Sequence, residues 1–161
     1  ISVDIDDCSH LFTNNNWTFL KTRDDDINKI KTNISVPLDI ILIDSLHDPK
    51  HVKKLIYMYW EYLKVGGSMY VDDISWLPYT EGSWRDHEYT EKINYDTFHE
   101  ILNISATNFD KFQLDFSFID SGMARLTKLN DKELSNSKNI KLRKNLIKNS
   151  FKSLISFLKK T

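Results

Sequence analysis

Apolar and polar residues follow two patterns along this chain, and these patterns predict strands and helices in turn. Short apolar runs at Ile1–Asp6 and Trp17–Leu20 predict two strands. The run Leu38–Ile43, which follows Pro37, is apolar almost throughout, as expected of a strand that is buried on both faces of a sheet. The first part of the chain is therefore expected to contribute three strands.

An amphipathic helix is predicted directly after the third strand. Asp48 can serve as its N-cap, and Pro49 stands at the first helical position, where its missing N–H costs nothing. Apolar residues then recur at spacings of three and one, at Val52, Leu55, Ile56, Tyr59, Trp60 and Leu63. Gly66-Gly67 is predicted to end the helix before a strand at Ser68–Val71. This strand–helix–strand unit indicates a right-handed parallel crossover and an α/β fold.

The patterns in the second half of the chain are shorter. Trp76–Tyr89 is rich in aromatic residues, Pro and Gly and is predicted to be a loop, whereas Tyr95–Ile104 is predicted to be a short helix. Phe112–Ile119 and Met123–Leu129 have the pattern of strands. The turn residues Asp120-Ser121-Gly122 between them predict an antiparallel hairpin.

The C-terminal segment from Lys138 to Lys160 carries eight Lys or Arg residues and no acidic residue. Its apolar residues fall at spacings of 4, 3 and 4, at Ile147, Phe151, Leu154 and Leu158, which predicts an amphipathic helix. This helix is expected to pack on the domain or on a partner, for example in a homo-oligomer, and a membrane-surface or anion-binding helix is the alternative. Residues 130–161 are thus predicted to be a basic linker and helix that follow a domain of residues 1–129.

Composition narrows the function classes. The 161 residues suffice for one domain with a core, and the formal net charge of -1 indicates neither nucleic acid nor an anionic membrane as a partner. Cys8 is the lone cysteine, which excludes a disulfide framework and is expected of a cytoplasmic, reducing compartment. No apolar run approaches the roughly 18–20 residues that a membrane-spanning helix needs.

Acidic residues follow the predicted parallel strands at their carboxyl ends, where α/β sheets bind ligands. Asp4 and Asp6 follow the first strand, Asp44 follows the buried strand, and Asp72-Asp73 follows the next strand. Carboxylates that converge without a basic partner are costly, and a hard divalent cation such as Mg²⁺ would neutralise them. Strand-end acids also serve as simple caps and turn formers, which is the alternative.

Two histidines follow Asp44. His47 lies between the strand end and the helix, so it is either a surface residue or a general base beside the acidic cluster, since imidazole titrates near neutral pH. His51, one turn farther on, is expected to lie on the surface of the helix.

Three segments of this region form a recognisable set: Ile43-Asp44-Ser45-Leu46-His47, Leu63-Lys64-Val65-Gly66-Gly67 and Tyr70-Val71-Asp72-Asp73-Ile74. The set resembles the second half of a class I S-adenosylmethionine-dependent methyltransferase. The similar branch is metal-dependent and contains macrolide-sugar O-methyltransferases and cephalosporin-hydroxylase-type proteins. The resemblance is strongest over Leu38–Trp76. It implies a Rossmann-like, mostly parallel sheet with a C-terminal antiparallel hairpin.

The resemblance also implies a role for each strand-end residue. Asp44, Asp72 and Asp73 would hold Mg²⁺ or another hard divalent cation, which would make the acceptor hydroxyl more acidic. His47 would remove the hydroxyl proton, and the methyl group of S-adenosylmethionine would pass to the oxygen. The implied acceptor is a small hydroxylated molecule of the sugar or natural-product type.

Residues on the cofactor side follow from the same resemblance. Asp4 would accept hydrogen bonds from the ribose hydroxyls, Asp24 would contact the adenine, and Asp44 would also border the cofactor. Part of an acceptor lid is expected from Trp76, Tyr79, Trp84, Arg85, His87 and Tyr89. The alternative for that loop is that its aromatic side chains pack onto the domain.

The chain departs from the family pattern at its start. Such enzymes begin with a strand and a glycine-rich turn, and none of the four glycines, at positions 66, 67, 82 and 122, can form that turn. The missing strand and helix are expected to leave a gap between the strands ending at Asp4 and Asp44. We expect a preceding segment in the natural protein, with a degenerate relative as the alternative. The competing functional hypotheses are a non-catalytic accessory protein with this fold and another Rossmann-like enzyme.

Overall fold

The computed structural model describes residues 1–76 and 87–141, and these residues form strands and helices in alternation. The strands are β1 (Ser2–Asp4), β2 (Phe19–Lys21), β3 (Leu38–Ile43), β4 (Leu63–Asp72), β5 (Phe112–Ser117) and β6 (Met123–Lys128). The helices are α1 (Ile27–Ile30), α2 (Pro49–Tyr59) and α3 (Glu88–Thr107). Short 3-10 turns follow α1 and α2, at Lys31–Asn33 and Trp60–Tyr62.

The described strands form two sheets. β1 and β2 pair in parallel, and a separate four-stranded sheet has the order β3-β4-β6-β5. In the larger sheet β3 and β4 are parallel, whereas β6 is antiparallel to both β4 and β5. The predicted α/β class, the parallel crossover through α2 and the C-terminal antiparallel hairpin are confirmed.

A gap separates the two sheets, between β1 and β3. It holds a cavity of about 360 Å³ whose walls include Ser2 and Val3 on one side and residues 40–45 on the other. β3 is therefore an edge strand among the described residues, and Ile40 and Leu42 are 66% and 58% exposed. The prediction that β3 is buried on both faces was wrong, because the face that carries Ile40 and Leu42 borders the cavity. The gap lies where the family resemblance places one more strand.

Helix α2 begins as predicted but ends earlier. The Asp48 carboxylate caps it by accepting hydrogen bonds from the backbone N–H groups of Lys50 and His51, both at 3.0 Å. The helix ends at Tyr59, and Gly66 and Gly67 lie inside β4 rather than between a helix and a strand. A Cβ at Gly67 would stand 2.9 Å from the Asp39 carbonyl oxygen, so glycine is needed for the close approach of β3.

Helix α3 spans twenty residues, about twice the predicted length, and starts at Glu88. Its buried face includes Asn94 and Thr97 beside Ile101 and Ile104. The Asn94 side-chain amide donates a 2.8 Å hydrogen bond to the Ser75 carbonyl oxygen, so this polar residue is satisfied within the core. Polar residues on the buried face hide the apolar period, which explains why the pattern predicted a shorter helix.

The hydrophobic core lies between the four-stranded sheet and helices α2 and α3. It contains fully buried side chains from α2, α3, β4 and β6, among them Ile56, Ile101, Met69 and Leu126. No described helix is long and apolar enough to span a bilayer.

Residues after Leu129 run back along the helices. The Tyr57 hydroxyl donates to the Ser135 carbonyl oxygen at 2.7 Å, and the Trp60 indole N–H donates to the Lys132 carbonyl oxygen at 3.1 Å. The fully buried Asn108 amide also donates to the Ser135 carbonyl oxygen, at 2.9 Å. The predicted domain boundary stays a prediction, and the basic helix predicted within Lys138–Lys160 falls almost wholly outside the described residues.

Gly122 and Gly66 provide a matched pair for testing how tightly the hairpin turn is packed. Both have positive φ, of 77° and 83°, but a Cβ at Gly122 would lie 2.6 Å from Ser75 Cβ, whereas a Cβ at Gly66 would contact nothing within 4 Å. We expect Gly66→Ala to lower the free energy of unfolding by about 1 kcal/mol through backbone strain alone. Gly122→Ala should lower it by about 3 kcal/mol, because overpacking adds to that strain. Urea denaturation measures both values, and equal losses would contradict the close packing at Ser75.

Candidate active site

The carboxyl end of β4 carries two aspartates with different neighbours. Asp72 ends the strand, and its Oδ1 accepts a hydrogen bond from the Ser121 hydroxyl at 3.0 Å. Asp73 has a φ of 57°, a left-handed conformation that costs a non-glycine residue about 1–3 kcal/mol. The hairpin holds this bend, because the Ser75 N–H donates to the Ser121 carbonyl oxygen at 2.8 Å.

His47 lies in the loop between β3 and α2, next to carboxylates from two strands. Its Nε2 is 3.3 Å from Asp73 Oδ2 and 3.8 Å from Asp44 Oδ1. The His47 side chain is 28% exposed, so a small molecule can reach the ring. The imidazole therefore lies within 4 Å of a carboxylate from each of the two strands that end here.

The three carboxylates predicted to bind a metal are not gathered at one point. Asp44 and Asp73 both approach His47, whereas Asp72 is engaged with Ser121. Within residues 1–76 and 87–141, no group of three or more acidic, His or Cys side chains is placed to hold a metal ion. As the residues stand, they do not fit a three-carboxylate Mg²⁺ site, and metal binding by Asp44, Asp72 and Asp73 stays a prediction.

Asp24, predicted on the cofactor side, is surrounded by hydrogen-bond donors. The Ser45 hydroxyl donates to its Oδ2 at 2.5 Å, and His51 Nε2 lies 2.9 Å from Oδ2 and 3.1 Å from Oδ1. The Tyr59 hydroxyl donates to the Asp24 backbone carbonyl at 2.6 Å. The expectation that His51 lies on the helix surface was wrong, because its side chain is only 9% exposed and packs against Asp24.

The cavity between the two sheets brings part of the predicted cofactor site together. Asp24, Asp44 and Ser45 all line it. Asp4 is exposed at the end of β1, does not belong to the cavity lining, and accepts a 2.9 Å hydrogen bond from the Asp6 N–H. Binding of ribose by Asp4 and of adenine by Asp24 stays a prediction.

Ser45, His51 and Tyr59 were not among the predicted site residues. For His51 a signal was present in the sequence, since it precedes Leu55 by four residues and so borders the apolar stripe of α2. The sequence gives no such signal for the contact between Asp24 and His51, because the two residues are 27 positions apart in the chain.

The predicted acceptor lid is described only in part. Trp76 packs against Tyr95, Phe98 and Phe118, with ring centroids 5.3, 4.3 and 5.4 Å away, which agrees with the alternative of packing onto the domain. His87 caps α3 through a 3.1 Å hydrogen bond that its Nδ1 accepts from the Tyr89 N–H. The other predicted lid residues, Tyr79, Trp84 and Arg85, lie outside the described residues.

Among solved structures, the chain is similar to the MycE methyltransferase of the mycinamycin biosynthetic pathway, determined in complex with Mg, SAH and mycinamycin VI. The TM-score is 0.54 at 17% identity, over 84% of this chain and 38% of that chain. A second crystal form of MycE with Mg and SAH gives 0.54 at 16% identity, over 94% and 41%. A protein from Corynebacterium glutamicum gives 0.50 at 16% identity, over 77% and 53%. The chain matches no protein-family model and no curated protein.

These similarities concern the fold, since the identities are below one fifth. The chain spans 38% of the length of the MycE chain in one crystal form and 41% in the other. The described strands and helices therefore correspond to part of the MycE chain. The chemistry of the site must therefore be inferred from the residues of this chain and not from those of the similar structures.

Tyr59 reports on the contact between α2 and the Asp24 loop. Burial, followed by the charges of Asp24 and Asp25, raises the pKa of the Tyr59 hydroxyl to about 12. A raised pKa means that the stabilisation is complete below the unfolded value of about 10 and is lost as the pH rises through 12. We expect an ultraviolet titration to show one tyrosinate forming near pH 12 that is missing in Tyr59→Phe. If Tyr59→Phe instead removes a tyrosinate that forms near pH 10, the buried contact is contradicted.

Proposed function

We propose that this chain, which has the fold of class I S-adenosylmethionine-dependent methyltransferases, carries the catalytic half of an O-methyltransferase that acts on a small hydroxylated acceptor. The observation that carries the proposal is the placement of His47 within 3.3 Å of Asp73 and 3.8 Å of Asp44. This group stands at the carboxyl ends of the parallel strands β3 and β4, where sheets of this kind bind ligands. The similar MycE structures contain SAH and, in one case, mycinamycin VI.

In the proposed reaction His47 is the general base. S-adenosylmethionine, when bound, would supply an electrophilic methyl group, whose bond to sulfur would break with the electron pair left on sulfur as a bond to the acceptor oxygen forms. His47 Nε2 accepts the proton that leaves the acceptor hydroxyl. Asp73 and Asp44 stabilise the resulting imidazolium, because their carboxylates lie within 4 Å of its nitrogen.

Positioning supplies most of the acceleration in such a transfer. Holding two reactants in line can lower the barrier by about 7–11 kcal/mol. Here β3 and β4 fix Asp44 and Asp73 relative to each other through their paired backbones, and α2 fixes His47 from the other side. The cofactor side is proposed to lie in the cavity lined by Asp24 and Asp44, and Asp4 lies outside that lining at the end of β1.

Metal assistance is a finer part of the proposal. Asp44 and Asp73 are the carboxylates that would take a hard divalent cation, since oxygen ligands suit Mg²⁺. Asp72 accepts one hydrogen bond from Ser121 on Oδ1 and keeps other acceptor positions, so it would join them if its side chain moved toward Asp44 and Asp73.

One observation favours a second candidate, a non-catalytic accessory protein with the same fold. The sheet is divided between β1 and β3, so the described residues form the cofactor cavity without a strand across it. An accessory protein would keep the fold without binding the cofactor. Binding by the full-length protein separates the two candidates.

Calorimetric titration of the full-length protein with S-adenosylhomocysteine, with and without Mg²⁺, tests the proposed function. We expect one binding site per chain, and we expect Asp4→Asn to weaken binding about tenfold or more because a carboxylate that accepts from two hydroxyls is lost. Asp6→Asn is the matched control and should change the dissociation constant by less than about twofold. Absence of any binding to the wild-type protein would favour the accessory candidate.

The role of His47 is tested by its effect on turnover, measured as S-adenosylhomocysteine release with a panel of hydroxylated acceptors. We expect His47→Ala to lower turnover by about 10²–10⁴-fold, the usual contribution of a general base. Affinity for S-adenosylhomocysteine should stay within about twofold, because His47 does not line the cavity with Asp24. His10→Ala, at an exposed histidine near β1, is the control. Unchanged turnover in His47→Ala would remove it as the base.

A further inference from the structure

Asp24 is held from three points of one continuous stretch of chain. Ser45 lies just before α2, His51 is in its first turn, and Tyr59 is its last residue. Ser45 and His51 contact the Asp24 carboxylate, and Tyr59 contacts its backbone carbonyl. The position of Asp24 is therefore set by α2 and by the loop that precedes it, and not by its own short loop alone.

The contacts leave part of the Asp24 carboxylate open to a further hydrogen-bond donor. An ionised carboxylate has about four acceptor positions. Ser45 and His51 together donate to Oδ2, and His51 also approaches Oδ1 at 3.1 Å. About one position remains, on Oδ1, and the side chain is 24% exposed and lines the cavity. This arrangement can receive one N–H or O–H donor of a bound molecule.

Ser45 connects this carboxylate to the proposed base. It stands between Asp44 and His47 in sequence, and its hydroxyl makes a 2.5 Å hydrogen bond to a residue 21 positions earlier. A charge-assisted hydrogen bond of this length restricts the loop that carries Asp44 and His47. Ser45 thus supports both Asp24, which lines the cavity, and the loop that carries His47, the proposed base.

We propose that Ser45 and His51 are positioning residues that orient Asp24 toward a single donor group of the cofactor and couple its binding to the placement of His47. This inference rests on the proposed function and adds to it two residues that do not take part in the chemistry themselves. The donor class is a single N–H or O–H group, because Oδ1 offers one acceptor position at the cavity wall.

The neighbouring aspartate supplies a matched control. Asp25 is held by Arg23 and Lys54 at 2.9 Å each, and these hydrogen bonds keep the pKa of its carboxyl far below its usual range. The Asp25 carboxylate ties the same loop to the same helix through Lys54, but it does not line the cavity. A purely structural role of the Asp24 contacts would be shared by Asp25, whereas a positioning role would not.

Calorimetric titration of the full-length protein with S-adenosylhomocysteine tests the inference. We expect Ser45→Ala and His51→Leu each to weaken binding about tenfold, since each removes a hydrogen bond to a charged group. Ser45→Thr and His51→Gln, which keep a donor at the same place, should restore binding to within about threefold of wild type. Asp25→Asn should change binding by less than about twofold, whatever its effect on the melting temperature.

The coupling to His47 is tested in the same variants. Ser45→Ala should lower the turnover rate with saturating cofactor in addition to weakening binding, whereas His51→Leu should act mainly on binding because it lies farther from His47 in the chain. A double-mutant cycle of Ser45→Ala with Asp24→Ala should be strongly non-additive, because each change removes the hydrogen bond that the two residues share.

The outcomes separate this inference from the proposed function. If the wild-type protein does not bind S-adenosylhomocysteine, both are overturned. If the wild type binds and Ser45→Ala and His51→Leu bind equally well, the positioning role alone is overturned. Equal losses in Asp25→Asn and Ser45→Ala would also overturn it, since a general weakening of the loop would then explain the data. Ser45 is exposed, so Ser45→Ala tests the inference even where His51→Leu does not fold.

Discussion

The parallel pairing of β3 with β4 is the constraint on which the rest of the site depends. Its register pairs Ile43 with Val71, so that Asp44 and Asp72 leave neighbouring strands at the same edge. Gly67 makes this pairing possible, because any side chain there would collide with the carbonyl groups of β3. The acidic edge is thus a consequence of backbone geometry. It does not arise from attraction between the carboxylates, which repel one another.

The hairpin β5–β6 decides which aspartate reaches His47. The Ser121 carbonyl oxygen of the hairpin accepts a hydrogen bond from the Ser75 N–H, and the Ser121 hydroxyl donates one to Asp72. These two hydrogen bonds hold the chain in the bend at Asp73. The left-handed conformation of Asp73 stores strain at the point where the chemistry is proposed, as is frequent at functional sites. The antiparallel half of the sheet therefore shapes the proposed site, although it contributes no residue to the proposed reaction.

Helix α2 links the two sides of the site. Its N-terminal loop carries His47, its first turn carries His51, and its last residue contacts the loop of Asp24. Because α2 is also packed in the core against α3 and the sheet, a displacement on one side is resisted by buried apolar area as well as by hydrogen bonds. A rigid element that holds both binding and chemical residues is what pre-organisation requires.

Local pattern in the sequence determined much of this protein: the N-cap of α2, the acids at the strand ends, the parallel crossover and the hairpin were all predicted from neighbouring residues. Tertiary structure alone decided the hydrogen bond between Asp72 and Ser121 and the burial of His51 against Asp24. The physical reason is the separation along the chain of the residues that interact. Caps, periods and turns depend on residues within one or two turns of each other, whereas these contacts join residues 27 or more positions apart, and only packing sets their distances.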